Sequence, residues 1–149
     1  MKGMLILLII VLAVLAGCTA PSGTATATPT PTPYPVSGSI PLLTGTWTGP
    51  MRGVDEGTGF SDYPNLTMEM HVTEQHGRIF AGDMLFTSPS GKETVNITGV
   101  ISRDGKTFLL SESGSGYSRG EMLSENEMEL DYVDNNPPAS AAIDTLKRL

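Results

Sequence analysis

The sequence predicts an all-β protein: an eight-stranded antiparallel up-and-down β-barrel behind a signal peptide and a disordered Thr/Pro-rich linker. Three observations predict it. From residue 44 onward, short runs alternate apolar and polar residues with the period of a strand, and no run carries a convincing helical period. The connectors between runs are mostly hairpin-sized, which forces sequential neighbours to pair antiparallel. Each run has one apolar face, and so many one-faced strands must split into two layers or close; consecutive hairpins without a long crossover favour closure.

Residues 1–17 read as a lipoprotein signal peptide. Lys2 supplies a basic start, and residues 4–16 form thirteen uncharged apolar residues. Thirteen helical residues rise roughly 20 Å, short of the ~30 Å bilayer core, so a permanent transmembrane helix is the weaker reading. The run ends in Leu15-Ala16-Gly17-Cys18, which resembles the lipobox of exported prokaryotic lipoproteins. That resemblance implies a diacylglyceryl group on Cys18 and a mature chain anchored to the cell membrane, facing outside the cytoplasm. The competing reading is an ordinary cleavage site with a chance cysteine nearby. Two acyl chains anchor stably where one is marginal. With a single cysteine, no internal disulfide can form.

Residues 18–43 form a linker of threonine, proline, alanine and serine without a charge. Alternating Thr-Pro favours extended polyproline II, a semi-rigid spacer that holds the C-terminal domain off the membrane. Residues 44–149 are then one domain, long enough for a modest core. All sixteen acidic residues lie there with all but one of the nine basic ones. Such an acidic domain repels nucleic acid and anionic membrane surfaces.

The eight predicted strands are 44–49, 66–75, 78–88, 93–102, 107–112, 117–123, 127–134 and 139–147. Asp104-Gly105 is the strongest turn signal and predicts a type I′ turn with both residues at positive φ. Parity assigns the faces. Leu66, Met68, Met70 and Val72 point inward, as do Phe80, Met84, Phe86, Val95, Ile97, Ile101, Phe108, Leu110, Met128, Leu130 and Tyr132. Mostly large inward residues predict a filled barrel with at most a shallow apolar cup.

The only tryptophan sits in Thr44-Gly45-Thr46-Trp47-Thr48-Gly49, where Gly45, Trp47 and Gly49 share the inward parity. The indole reads as a plug for one end of the barrel. This Gly-x-Trp on the first strand resembles the calycin group, the lipocalins and avidins, as does Gly77-Arg78-Ile79-Phe80-Ala81-Gly82 in its hairpin. The resemblance implies a barrel floor closed by Trp47 and an arginine, Arg148, stacked over it, with Lys147 as the competing candidate. It implies no ligand. Avidin-type biotin sites use several tryptophans, and the haem-binding calycin signature is broken by Met51 in place of its third glycine.

No catalytic set emerges from the sequence, and an enzyme is not expected. Gly116-Tyr117-Ser118-Arg119-Gly120 fits the G-x-S-x-G pattern but falls inside a predicted strand, with His71 and His76 both upstream. Neither cysteine pairs nor a third histidine support a transition-metal site, and no cofactor is implied. The one long connector, 50–65, reads as a lid over the barrel mouth, with Arg52, Asp55, Glu56, Phe60, Asp62 and Tyr63 as candidate ligand contacts. A merely solvated lid is an equal reading. Asn65 and Asn96 head N-glycosylation sequons, and sugars there would favour an archaeal over a bacterial source. Two function classes remain: a lipid-anchored binding module for a small apolar ligand, and an envelope protein-interaction or inhibitor barrel similar to the lipoproteins that block lysozymes or proteases.

Overall fold

The computed structural model describes residues 38–149; the expected signal peptide, Cys18 and all but the end of the linker lie outside the described residues. The described residues form ten strands in order: β1 (Gly45–Gly49), β2 (Met51–Asp55), β3 (Gly59–Ser61), β4 (Thr67–His76), β5 (Ile79–Ser88), β6 (Gly91–Ile101), β7 (Thr107–Glu112), β8 (Tyr117–Ser124), β9 (Glu127–Asp134) and β10 (Ser140–Arg148). From β4 to β10 each strand pairs antiparallel with the next, and β1 pairs with both β4 and β10, which closes the sheet.

The barrel has eight staves because β1 and β2 act as one, interrupted at Pro50. Proline has no N–H for the ladder, so the break falls where the stave passes along β10 from the Trp47–Arg148 pair to the Met51–Asp144 pair. The connector 50–65 is therefore not the loop that its turn-rich composition suggests. Its first half continues the wall as β2, and β3 folds back on it with Phe60 opposite Val54. Short strands holding two glycines, Gly53 and Gly59, with a third in the turn between them carry too little alternation to be read by period.

Two other local expectations differ. Gly105 has φ 69°, but Asp104 stays out of the left-handed region, so the loop is a type I turn closed by Gly105 N–H donating to Ser102 O at 3.1 Å. A four-residue loop accepts that turn, and Asp104 serves instead as an acceptor for the Lys106 and Thr107 amides at 2.8 and 2.9 Å. Nor does the packed domain start at residue 44. Leu43, placed in the linker by composition, is fully buried, and Gln75 ties the segment down by accepting from Leu43 N–H at 2.7 Å and donating to Pro41 O at 2.9 Å.

Parity otherwise translates directly into packing. Trp47, Met68, Met70, Val72, Phe80, Met84, Ile97, Ile101, Phe108, Leu110, Met128 and Leu130 are all buried in one core with Leu43, Met122 and Leu146. The lower barrel is filled by a large-against-small arrangement. Phe80 and Phe108 meet edge to face at 5.7 Å, and each ring lies over the glycine opposite it, Gly99 and Gly120. A Cβ at either glycine would fall within the ring above it, so only glycine fits. Register shifts at Val72/Glu74 and Met122/Ser124 bend the wall at the same end.

Candidate functional site

The two ends of the barrel differ in kind. At the floor, the Trp47 Nε1–H donates to Leu43 O at 2.8 Å. Arg148 Cζ lies 4.0 Å from the indole centroid, and its guanidinium donates to Thr44 O at 2.7 Å and Leu42 O at 2.6 Å. An arginine fits here because its planar fork can stack on a ring while bonding carbonyls at its edge. Lys147 points out from the wall toward Glu127 at 3.9 Å. The floor is sealed by apolar packing and charge-assisted hydrogen bonds that close the barrel interior; a groove of about 470 Å³ between Pro41, Leu42, Asn126 and Arg148 lies on the outer side of that seal.

The opposite end is open. A cavity of about 330 Å³ there is lined by the inward side chains of Met51, Met68, Met84, Phe86 and Val95, with Tyr63 and Leu66 above them and Glu93, Glu112, Tyr132 and Asp144 completing the ring. It lies at the small end of ordinary ligand pockets. Two of its members are buried carboxyls. Asp144 is only 3% exposed, and its Oδ1 has no hydrogen-bond partner. Burial, and then the charge of Glu112, push its pKa up to about 7. Glu112 is also buried and its pKa is raised by burial, although the Ser118 hydroxyl donates to its Oε1 at 3.1 Å and works the other way.

Neither carboxyl figures among the residues that sequence singles out. Both were within its reach. Glu112 continues the inward series Phe108, Leu110, and Asp144 lies two residues before inward Leu146. A parity argument that collects only apolar residues passes over them.

Of the six predicted contacts in residues 50–65, the structure brings only Tyr63 to the cavity. Its hydroxyl donates to Asp55 Oδ2 at 2.8 Å; burial, then this bond, push its pKa up to about 12, so it stays a neutral donor. Its backbone is held at φ 41°, unusual for a residue with a side chain, where Ser61 Oγ accepts its N–H at 3.0 Å. Glu56 instead accepts from Ala139 N–H at 3.0 Å and pins the hairpin to the neighbouring turn. Arg52, Phe60 and Asp62 fall on the outer wall, where they border a separate groove with Val54 and Ile143. The physical reason is the strand itself: once 51–55 is a stave, Arg52 must leave the barrel by alternation, and β3, paired with that stave with Phe60 opposite outward Val54, takes Phe60 and Asp62 to the outer wall. Phe60 is 92% exposed, and register places it in a row across five strands with Val54, Ala141, Val133 and Tyr117.

The remaining candidates lie on the wall. Ser118 sits inside β8 with its hydroxyl on Glu112, not on a strand-to-helix elbow. His71 faces outward between Asp83 at 2.9 Å and Glu69 at 3.2 Å; burial opposes its charge, but these carboxylates raise its pKa. His76 pairs with Glu74 in the exposed floor turn. Asn65 and Asn96 are both exposed. Among the described residues no group of three or more His, Cys, Asp or Glu is placed to hold a metal ion.

No protein-family model and no curated protein matches this chain. Among solved structures, EF1p2_mFAP2b bound to DFHBI superposes with a TM-score of 0.50 at 14% identity, over 76% of this chain and 99% of that one. The structure of mFAP1, a redesigned beta barrel bound to DFHBI, gives 0.49 at 16% identity over 71% and 94%. At such identity the likeness to the first is one of fold.

Proposed function

We propose that the protein is a lipid-anchored, extracytoplasmic binding module whose barrel takes one small ligand through its open mouth. The observation that carries this reading is the asymmetry of the barrel. One end is sealed by Trp47 and Arg148, and the other holds a cavity of about 330 Å³ with buried polar groups beneath an apolar rim. A barrel of this size either fills with its own side chains or holds one small molecule, and here the filling stops short of the mouth. The methionines lining the cup are pliant enough to move for a guest. EF1p2_mFAP2b, which shares the fold, is bound to DFHBI, so such a barrel is compatible with a small ligand.

An environment-sensitive apolar dye is expected to bind residues 38–149 saturably and one to one. Val95→Trp, which fills the cup from the β6 side, is expected to weaken that binding by tenfold or more while the far-ultraviolet circular dichroism is kept. Absence of saturable binding, or binding indifferent to the plug, would remove the pocket and leave the second reading. That reading, an envelope protein-interaction or inhibitor barrel, draws on the exposed row from Phe60 to Tyr117, since contiguous apolar patches on a soluble surface often mark protein contacts.

Anchoring has its own test. If Cys18 carries the lipid, Cys18→Ser moves the processed protein from the membrane to the aqueous fraction, because the two acyl chains are its hold on the bilayer. A processed mutant that still sediments with membranes would exclude the lipid.

A further inference from the structure

Resting on the pocket reading above, we propose that the cup takes a small amine, with its ammonium group against Asp144 and its apolar part against Met51, Met68, Met84 and Phe86. A buried oxygen without a partner is the exception in folded proteins and is costly to keep. Asp144 Oδ1 is such an atom, on a side chain that lines the cavity.

No donor that lines the cavity reaches it: the exposed Ser113 hydroxyl makes no bond to it, and the others are turned elsewhere. Tyr63 gives its hydroxyl to Asp55, and Tyr132 is engaged with Ser115 at 2.5 Å, the Gly116 amide at 3.3 Å and Asp134 at 3.4 Å. Ser118 gives its hydroxyl to Glu112. The partner of Asp144 therefore has to enter from outside, and the sign of the cup selects its charge. The cavity is lined by the carboxyls of Glu93, Glu112 and Asp144, and no lysine, arginine or histidine is among its lining residues. An anion would be repelled, and a neutral apolar guest would bury Asp144 further without pairing it. An ammonium brings up to three N–H donors and the compensating charge in one group.

The apolar half of the cup sets the rest of the ligand. Three methionines and Phe86 line it from β2, β4 and β5, so a polyamine or a bare inorganic cation would leave that surface unmatched. An amine with a compact aromatic or branched body fits both halves. Asp144 lies across from Met51 on β2 and Leu130 on β9, so an ammonium drawn to it reaches well into the mouth.

Three matched probes test this on residues 38–149 by calorimetry: 2-phenylethylamine, 2-phenylethanol and phenylacetate. The amine is expected to bind roughly tenfold or more tighter than the alcohol, with phenylacetate weakest. Asp144→Asn is expected to abolish the preference while leaving the alcohol and the apolar dye bound. Ion pairing must also displace the proton that Asp144 holds below about pH 7, so amine binding at about pH 6 should release on the order of one proton, detectable from buffers of different ionisation enthalpy. Glu93, Glu112, Tyr63 and Tyr132 line the same cavity, and Asp134 acts on Glu112; Glu112→Gln is the control that assigns the released proton. Equal affinity for amine and alcohol, or a preference that survives Asp144→Asn, overturns the proposal while the pocket stands. Failure of both the probes and the dye to bind overturns the pocket itself.

Discussion

Replacing Trp47 by alanine is expected to cost the domain about 3–5 kcal/mol, read as a lower urea midpoint by far-ultraviolet circular dichroism. The indole is fully buried, so truncation opens a cavity that a closed wall cannot collapse into. It also leaves Leu43 O without the Nε1–H donor and Arg148 without the ring it covers. Arg148 still bonds Thr44 O and Leu42 O, which keeps the N-terminal segment near the floor and argues for a weakened fold over an unfolded chain. Against an ordinary stability of about 5–15 kcal/mol the loss is large. A loss below about 1 kcal/mol, or wild-type fluorescence like that of indole in water, would contradict the plug.

Period and turn length made most of this barrel legible, because a closed antiparallel sheet writes its inside and outside on alternate residues. Seven of the staves carry that alternation over six or more residues, as β4 does through Met68, Met70 and Val72. The eighth does not: Pro50 divides it, and Gly53 occupies the inward position between Met51 and Asp55. Without an apolar inward residue there, 50–65 reads as a loop, and with it go the positions of Arg52, Phe60 and Asp62. The floor was legible through its resemblance to the calycin first strand: Gly45, Trp47 and Gly49 carry that likeness, the likeness implied an arginine over the indole, and Arg148 pairs with Trp47 across β1 and β10. The mouth was not, since its defining groups are carboxyls at inward positions, and hydrophobic patterning assigns charged residues to water. Parity alone puts Glu112 and Asp144 on the inward face; that β2, β7 and β10 bring them to one cavity is what the structure adds. Where a polar residue breaks an otherwise consistent pattern, function is the usual reason for the exception.

That exception has a thermodynamic signature. Asp144→Asn is expected to stabilise the ligand-free domain by about 2–4 kcal/mol near pH 8 and to change it little near pH 4. The carboxyl has a native pKa of about 7, raised by burial and then by Glu112, against an ordinary value of 3.8. Between those values the native state holds a proton that unfolding releases, so it binds more protons than the unfolded chain. Stability therefore falls as pH rises from about 4 to about 7, and levels off above, where Asp144 is ionised in both states. Asparagine has the same shape and no charge, so its curve should lose most of that slope. Glu112 is raised in the same direction, chiefly by burial, and lines the same cavity, so a residual slope in Asp144→Asn belongs to Glu112. Urea midpoints at half-unit pH intervals for both proteins measure the difference. If wild type grew more stable from pH 4 to 7 in step with the variant, Asp144 would be an ordinary solvated carboxylate, and the proposed ammonium site would lose its buried acid. A buried acid that weakens the fold at neutral pH, and whose loss strengthens it, is what the proposed ammonium site requires, stability given up for binding.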